Sequence, residues 1–129
     1  MKSSHDKPPV ILVVEDETRV RIEVTDMLVA AGYRVIGAAH AAQALAVLQV
    51  RSDIRVLFTN TTLQGALDGC ALAVTVSRRW PGIGLLMVSA RDWPGLGHHP
   101  PGARLLSRPY VRSELLQELT ILLAEAPPL

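Results

Sequence analysis

The stretch of sequence that decides the fold is VILVVEDE, residues 10–17. Its first five residues are aliphatic and mostly β-branched, and they follow Pro8 and Pro9. A short apolar run of this kind is typical of a strand that is buried on both faces of a parallel sheet. The run ends in three acidic residues, at positions 15–17. The stretch therefore predicts an α/β protein whose first strand leads into a group of carboxylates.

From this strand onward, apolar runs alternate with helical patterns. Apolar residues recur at a spacing of three to four between Thr18 and the stop signal Gly32, which predicts a helix with one apolar face. Further strands are predicted at 33–38, 54–58, 84–88 and 103–106, and further helices at 41–50, at 72–80 and after Ser113, which we expect to cap the last helix. Such alternation predicts a doubly wound, five-stranded parallel sheet with helices on both faces.

The link between the fourth and fifth predicted strands departs from this alternation. Residues 90–102 include three prolines and three glycines, at positions 94, 95, 97, 100, 101 and 102. Proline and glycine disfavour a helix interior by about 3 and 1 kcal/mol per residue. We therefore predict that the helix at this position is shortened or missing. Its loss would leave apolar surface around Leu105, Tyr110 and Leu116, unless Trp93, Leu96 or a partner covers it.

Composition and charge exclude several classes of protein. The 129 residues carry 13 Lys and Arg against 12 Asp and Glu, without the single-sign field of nucleic-acid or membrane-surface binders. One cysteine, Cys70, excludes an internal disulfide and suits a reducing cytoplasm. No apolar stretch approaches the roughly 18 residues of a membrane span. We expect a cytoplasmic protein with one domain at residues 10–124 and mobile tails at 1–9 and 125–129.

Polar residues follow four of the predicted strands. Glu15 and Asp16 come after the first strand, Asn60 after the third, Ser89 after the fourth and Arg108 after the fifth. In doubly wound sheets, groups just beyond the carboxyl ends of the strands form the ligand site. The sequence therefore predicts that these side chains converge on one site.

The series VVEDE, FTNTTLQGALDG, MVSA and LLSRPY resembles the receiver domain of bacterial response regulators. The resemblance extends from about Val10 to Ala124 and implies the flavodoxin-like fold of receiver type. It also implies a phosphoacceptor at position 60. A Mg²⁺ site is implied as well, with ligands from Glu15, Asp16, residue 60 and the backbone of Thr62.

Three positions depart from the receiver pattern. Asn60 stands where the family has its phosphoacceptor aspartate, and a neutral amide cannot form an acyl-phosphate. Arg108 replaces the family's lysine, and Leu63 and Gln64 replace the usual methionine and proline. Two positions keep the pattern: Ser89 matches the hydroxyl that turns toward the phosphate, and Tyr110 lies near the switch aromatic. The phosphate-pocket equivalents are therefore Asn60, Ser89 and Arg108, and we expect no catalytic residue.

These features predict a non-enzymatic, phosphorylation-independent regulatory module of two-component signal transduction. The chain ends soon after the last predicted helix, so we expect it to stand alone and to act on an unidentified signalling protein or a second copy of itself. We expect no nucleic-acid or membrane partner and no cofactor, with Mg²⁺ bound weakly if at all. Two alternatives stay open: a phosphoacceptor receiver in which Asn60 is an engineered replacement of aspartate, and a small-ligand-binding domain with its ligand over Asn60.

The polar residues also have structural interpretations. Glu15 and Asp16 are placed to cap the first helix, where carboxylates are favoured by the helix dipole. Asn60 suits a turn without further function. Arg108 is long enough to pair with Asp16 and fill the space of the metal ion. The structure has to decide between these interpretations and the functional ones.

Overall fold

The five predicted strands form one sheet in the computed structural model, which describes residues 7–65, 67–89 and 99–125. The strands are β1 (Val10–Val14), β2 (Arg34–Ala38), β3 (Ile54–Asn60), β4 (Gly84–Ser89) and β5 (Arg104–Ser107). All neighbours are parallel, and their order is β2-β1-β3-β4-β5. The predicted doubly wound, five-stranded parallel sheet is confirmed.

Four helices in the described residues connect or follow these strands. They are α1 (Thr18–Ala30), α2 (Ala41–Val50), α3 (Gly69–Arg79) and α4 (Arg112–Ala124). The prediction that Ser113 caps the last helix is wrong, because α4 follows Val111 and Ser113 lies within its first turn. The carboxylate of Glu114 accepts the backbone N–H of Val111 at 2.9 Å instead. A glutamate in the first turn thus satisfies the donor that precedes the helix.

The aliphatic run of β1 is explained by the two cores of the domain. Val10, Leu12 and Val14 contribute to a core that is completed by residues of α2 and α3. Ile11 and Val13 point to the opposite face, where α1 and α4 complete a second core. All five residues are at most 1% exposed. Successive side chains of a strand alternate between faces, so a strand covered on both sides has no position for a polar residue.

The link between β4 and β5 is described only in part. The predicted shortening or loss of its helix falls mainly on residues 90–98, which lie outside the described residues. Residues 99–103 form no helix, and the N–H of Ala103 donates to the carbonyl of Pro100 at 3.2 Å. Leu105 is half-buried against the α2–α3 core, while Tyr110 and Leu116 are half-buried against the α1–α4 core.

The N-terminal segment is hydrogen-bonded to the edge strand β2 where the structure describes it. The carbonyl of Pro8 accepts from the Arg34 side chain at 2.7 Å, and the carbonyl of Pro9 accepts from the Arg34 backbone at 3.1 Å. Residues 1–6 and 126–129 lie outside the described part, and the tails at 1–9 and 125–129 stay predictions. Within the described ranges, none of the helices has the length and apolar character needed to cross a membrane.

The start of α3 lies so close to the end of β3 that only glycine fits there. Gly69 is buried, its N–H donates to the carbonyl of Thr61 at 3.0 Å, and a Cβ on it would overlap the carbonyl oxygen of Asn60. The backbone of both elements would have to separate to admit a side chain. The close approach of Gly69 therefore holds α3 against the end of β3.

We predict that Gly69→Ala lowers the free energy of unfolding by about 2–3 kcal/mol, because the added methyl meets backbone rather than a movable side chain. Urea unfolding followed by circular dichroism measures the change. Gly37→Ala is the matched control, since its Cβ would lie 3.4 Å from Cδ of the flexible Arg21 side chain. It should shift stability by less than about 1 kcal/mol. Equal losses in the two variants would contradict the prediction.

Candidate functional site

The carboxyl ends of the strands meet at one edge of the sheet, as parallel pairing requires. The backbone N–H of Arg108 donates to the carbonyl of Ser89 at 2.8 Å, which joins the ends of β4 and β5. The N–H of Thr61 donates to the carbonyl of Val88 at 2.9 Å and joins the ends of β3 and β4. The predicted convergence is therefore observed for Glu15, Asn60 and Arg108, whose side chains are in contact.

Glu15 is the centre of this site. Its side chain is only 2% exposed, and a buried carboxylate is costly unless charge and hydrogen bonds compensate it. One carboxylate oxygen, Oε1, accepts from Nη2 of Arg108 at 2.9 Å and from Nδ2 of Asn60 at 3.2 Å. The other, Oε2, accepts from the backbone N–H of Glu17 at 3.0 Å. The buried charge is thus balanced by a cation of the same chain.

The predicted pairing of Arg108 with Asp16 is wrong, because Arg108 pairs with Glu15. The Arg108 side chain is 27% exposed, so its guanidinium reaches from the surface to a carboxylate below it. Asn60 adds a second donor to the same oxygen. An aspartate at position 60 could not supply that donor and would set one carboxylate against another. The amide of Asn60 therefore has a defined role, which the interpretation as a simple turn residue does not include.

Asp16 is engaged elsewhere. Its Oδ2 accepts the backbone N–H of Gln64 at 2.9 Å, which ties the loop after β1 to the loop after β3. The cap residue of α1 is Glu17, and it makes no side-chain capping bond. The capping interpretation is therefore wrong for Asp16. Capping is not the only role of Glu15, because its carboxylate also binds Asn60 and Arg108.

Arg21 belongs to the site but was not found from the sequence. Its Nη1 donates to the backbone carbonyl of Glu15 at 2.7 Å, and its Nη2 lies 3.4 Å from Oγ1 of Thr18. The stem of Arg21 crosses β2 at Gly37, the position where a side chain would contact it. A glycine inside a strand often marks the close approach of another group. Gly37 thus indicates a close approach at this point of β2, but the sequence alone does not identify Arg21 as the residue that makes it.

The other predicted site residues differ in how much the structure says of them. Tyr110 packs against the α1–α4 core, and burial raises the pKa of its phenol, an effect that the nearby charge of Arg108 opposes. The phenol thus stays neutral near pH 7. Ser89 is buried at the end of β4. Thr62 is exposed, and its role as a metal ligand stays a prediction.

The donor set does not fit a divalent cation well. Mg²⁺ prefers oxygen ligands in near-octahedral geometry and gives up its water reluctantly. In the part of the chain that the structure describes, no three His, Cys, Asp or Glu side chains group together as a metal site would require. Glu15 already binds a guanidinium and an amide, and Asp16 binds a backbone N–H. Weak or absent Mg²⁺ binding stays a prediction, which these contacts favour.

A cavity of about 570 Å³ lies beside the start of α2. It is lined by His40, Ala41, Ala42, Leu45, Gln64, Gly65 and Leu67. Gln64 also contacts Asp16, but Asn60 is not part of this lining. The alternative that predicts a ligand over Asn60 therefore gains no support from this cavity.

Comparison with known proteins gives a consistent result for the fold. No protein-family model matches the sequence, and no curated protein matches it significantly. Solved structures do match. A response regulator receiver protein from Sinorhizobium medicae WSM419 has a TM-score of 0.85 at 20% identity, over 93% of this chain and 98% of that one. A CheY-like receiver domain protein from Methanospirillum hungatei JF-1 has a TM-score of 0.81 at 23% identity, over 93% and 97% of the two chains.

The receiver domain of NtrX from Brucella abortus is similar at a higher identity. It is 28% identical, with a TM-score of 0.81 over 89% of this chain and 98% of that one. The similarity thus extends over nearly the whole domain. The chain has the fold of a response regulator receiver domain.

Proposed function

We propose that this chain is a receiver-like regulatory module that signals by contact with another protein and does not depend on phosphorylation. The observation that carries the proposal is the side-chain amide of Asn60, which donates to the buried carboxylate of Glu15 at the place where the resemblance puts a phosphoacceptor. The proposal includes no enzymatic activity.

Phosphoryl transfer to this site lacks a nucleophile. An acyl-phosphate forms on an anionic carboxylate, whereas Asn60 has a neutral amide whose oxygen is a weak nucleophile and whose nitrogen donates to Glu15. The cation that would meet a phosphoryl group, Arg108, is paired with Glu15. Because the Glu15 carboxylate is buried, a ligand that drew Arg108 away would have to compensate that carboxylate in its place.

The alternative of a single engineered change at position 60 is less well supported. Such a change would leave the rest of the receiver pattern in place. Here Arg108 and the pair Leu63 and Gln64 differ from the pattern as well. Arg108 also takes part in the same contact as Asn60, through a shared oxygen of Glu15. Two departures that contact the same atom are better explained as features that arose together.

The surface that we propose for the partner is formed by β5, the loop after it and the start of α4. Tyr110 and Leu116 are half-buried there on the α1–α4 side of the sheet, Leu105 is half-buried on the opposite side of the same edge strand, and Val111 is 60% exposed. The prediction that a missing helix uncovers this edge rests mainly on residues 90–98, which lie outside the described residues, and it stays a prediction. The partner is an unidentified signalling protein or a second copy of the chain.

We predict that the chain takes up no phosphoryl group at residues 59–62 when it is incubated with acetyl phosphate and Mg²⁺. The reason is the absence of a carboxylate nucleophile at position 60. Peptide mapping by mass spectrometry under non-acidic conditions checks this outcome. Asn60→Asp, treated in the same way, shows whether the donor reaches the site. An acid-labile phosphate on residues 59–62 of the unaltered chain would refute the proposal.

We predict that Val111→Asp abolishes binding of the partner or of a second copy without lowering the free energy of unfolding, because Val111 is exposed and immediately precedes α4, where aspartate is a favoured cap residue. Sedimentation velocity measures self-association, and affinity capture measures binding of another protein. Val50→Asp is the matched control, since Val50 is 82% exposed at the end of α2, the helix that packs on the other face of the sheet. Equal effects of both variants, or no binding by the unaltered chain, would count against this surface.

A further inference from the structure

We infer that the guanidinium of Arg108 takes the place of a divalent cation in this pocket, so that the domain carries its own cation and does not respond to Mg²⁺. The inference goes beyond the proposed function, because it concerns what balances the charge of the pocket. It holds or fails whether or not a partner binds the surface around Val111.

Glu15 carries a buried negative charge that needs a cation beside it. Its carboxylate is 2% exposed, so a positive charge has to lie against it. Among the described residues, two arginines donate hydrogen bonds to Glu15. Arg21 donates to the backbone carbonyl of Glu15, whereas Arg108 donates to the carboxylate itself at 2.9 Å. The compensating cation for the buried charge is therefore Arg108.

The number of charges in the pocket favours a cation with a single charge. With asparagine at position 60, Glu15 is the one anion in the contact among Glu15, Asn60 and Arg108. A guanidinium with one positive charge balances it, while a divalent ion would leave an excess positive charge next to Arg108. Asp16 is half-exposed and its carboxylate binds the N–H of Gln64. The single positive charge of Arg108 thus balances the single negative charge of Glu15 because position 60 is neutral.

The backbone of Arg108 is held at the edge of the sheet. Its backbone N–H donates to the carbonyl of Ser89 at 2.8 Å, so the start of the side chain is fixed at the sheet edge. A guanidinium also presents several N–H donors in a rigid plane, which suits a carboxylate below the surface. Arg104, in the same strand, forms the same type of pair with Glu118 of α4. It therefore provides a control for the loss of one arginine and one ion pair outside the pocket.

The experiment compares four proteins: the unaltered chain, Asn60→Asp, Asn60→Asp with Arg108→Met, and Asn60→Asp with Arg104→Met. The midpoint of thermal unfolding is measured against MgCl₂ at constant ionic strength. We expect no Mg²⁺ response from the unaltered chain. For the Asn60→Asp/Arg108→Met protein, the midpoint of thermal unfolding should rise by about 4 °C for each tenfold increase in Mg²⁺ concentration above the Kd. The Arg104→Met control should respond no more than Asn60→Asp alone.

A local measurement separates metal binding from general stabilisation. Mn²⁺ broadens the amide signals of residues near its site. The Kd for Mn²⁺ is obtained by following the amide signals of Glu15 and Asp16 by nuclear magnetic resonance as Mn²⁺ is added. Removing the charge of Arg108 from the Asn60→Asp protein should lower that Kd at least about tenfold, because a unit charge within a few ångströms opposes the ion. If the Arg108→Met protein does not fold, Arg108→Gln replaces it in the same comparison.

Two results would overturn the inference. One is an equal Kd for Mn²⁺ with and without Arg108 in the Asn60→Asp protein. The other is saturable binding by the unaltered chain at sub-millimolar Mg²⁺. Neither result depends on phosphorylation or partner binding, so failure here is distinguishable from failure of the proposed function.

Discussion

The burial of the Glu15 carboxylate is the constraint on which the arrangement of this domain's functional edge depends. A charge that is 2% exposed cannot be left without compensation, and the chain supplies it from three directions. Arg108 comes from the end of β5, Asn60 from the end of β3, and the N–H of Glu17 from the start of α1. The positions of three chain segments are thereby linked at one carboxylate.

This linkage bears on how the domain can signal. A ligand shifts a two-state protein only by the difference in its affinity for the two states. Coupling energies between sites are typically about 1–3 kcal/mol, whereas breaking a buried ion pair costs about 3–5 kcal/mol. A ligand that drew Arg108 away from Glu15 would also have to compensate the buried carboxylate. This requirement supports the proposal of a module that does not depend on a ligand at this pocket.

The sequence predicted those parts of the fold that depend on burial. The run of β1 and the spacing in α1 follow from which faces are covered, and parallel strands bring their polar ends together by geometry. Pairings that depend on side-chain direction were not predicted correctly, as the partner of Arg108 shows. Glu15 still pairs with β2 through its N–H and the carbonyl of Ala38, so its side chain keeps the direction set by the strand. Asp16 begins the loop and turns to Gln64. The adjacent carboxylates of Glu15 and Asp16 thus have different partners because their side chains point in different directions, which residue type alone does not predict.

Glu15, Asn60 and Arg108 must therefore be treated as one unit. Asn60 and Arg108 both donate to the same oxygen of Glu15. A substitution at one of the three positions therefore changes the hydrogen bonds and charge balance of the other two. Residues that share a hydrogen-bond network show non-additive effects on stability. An aspartate at position 60 would add a second anion, and the single guanidinium would then have two carboxylates to balance. The same guanidinium that completes the pocket with asparagine would no longer neutralise it. The chemistry of position 60 cannot be separated from the presence of Arg108.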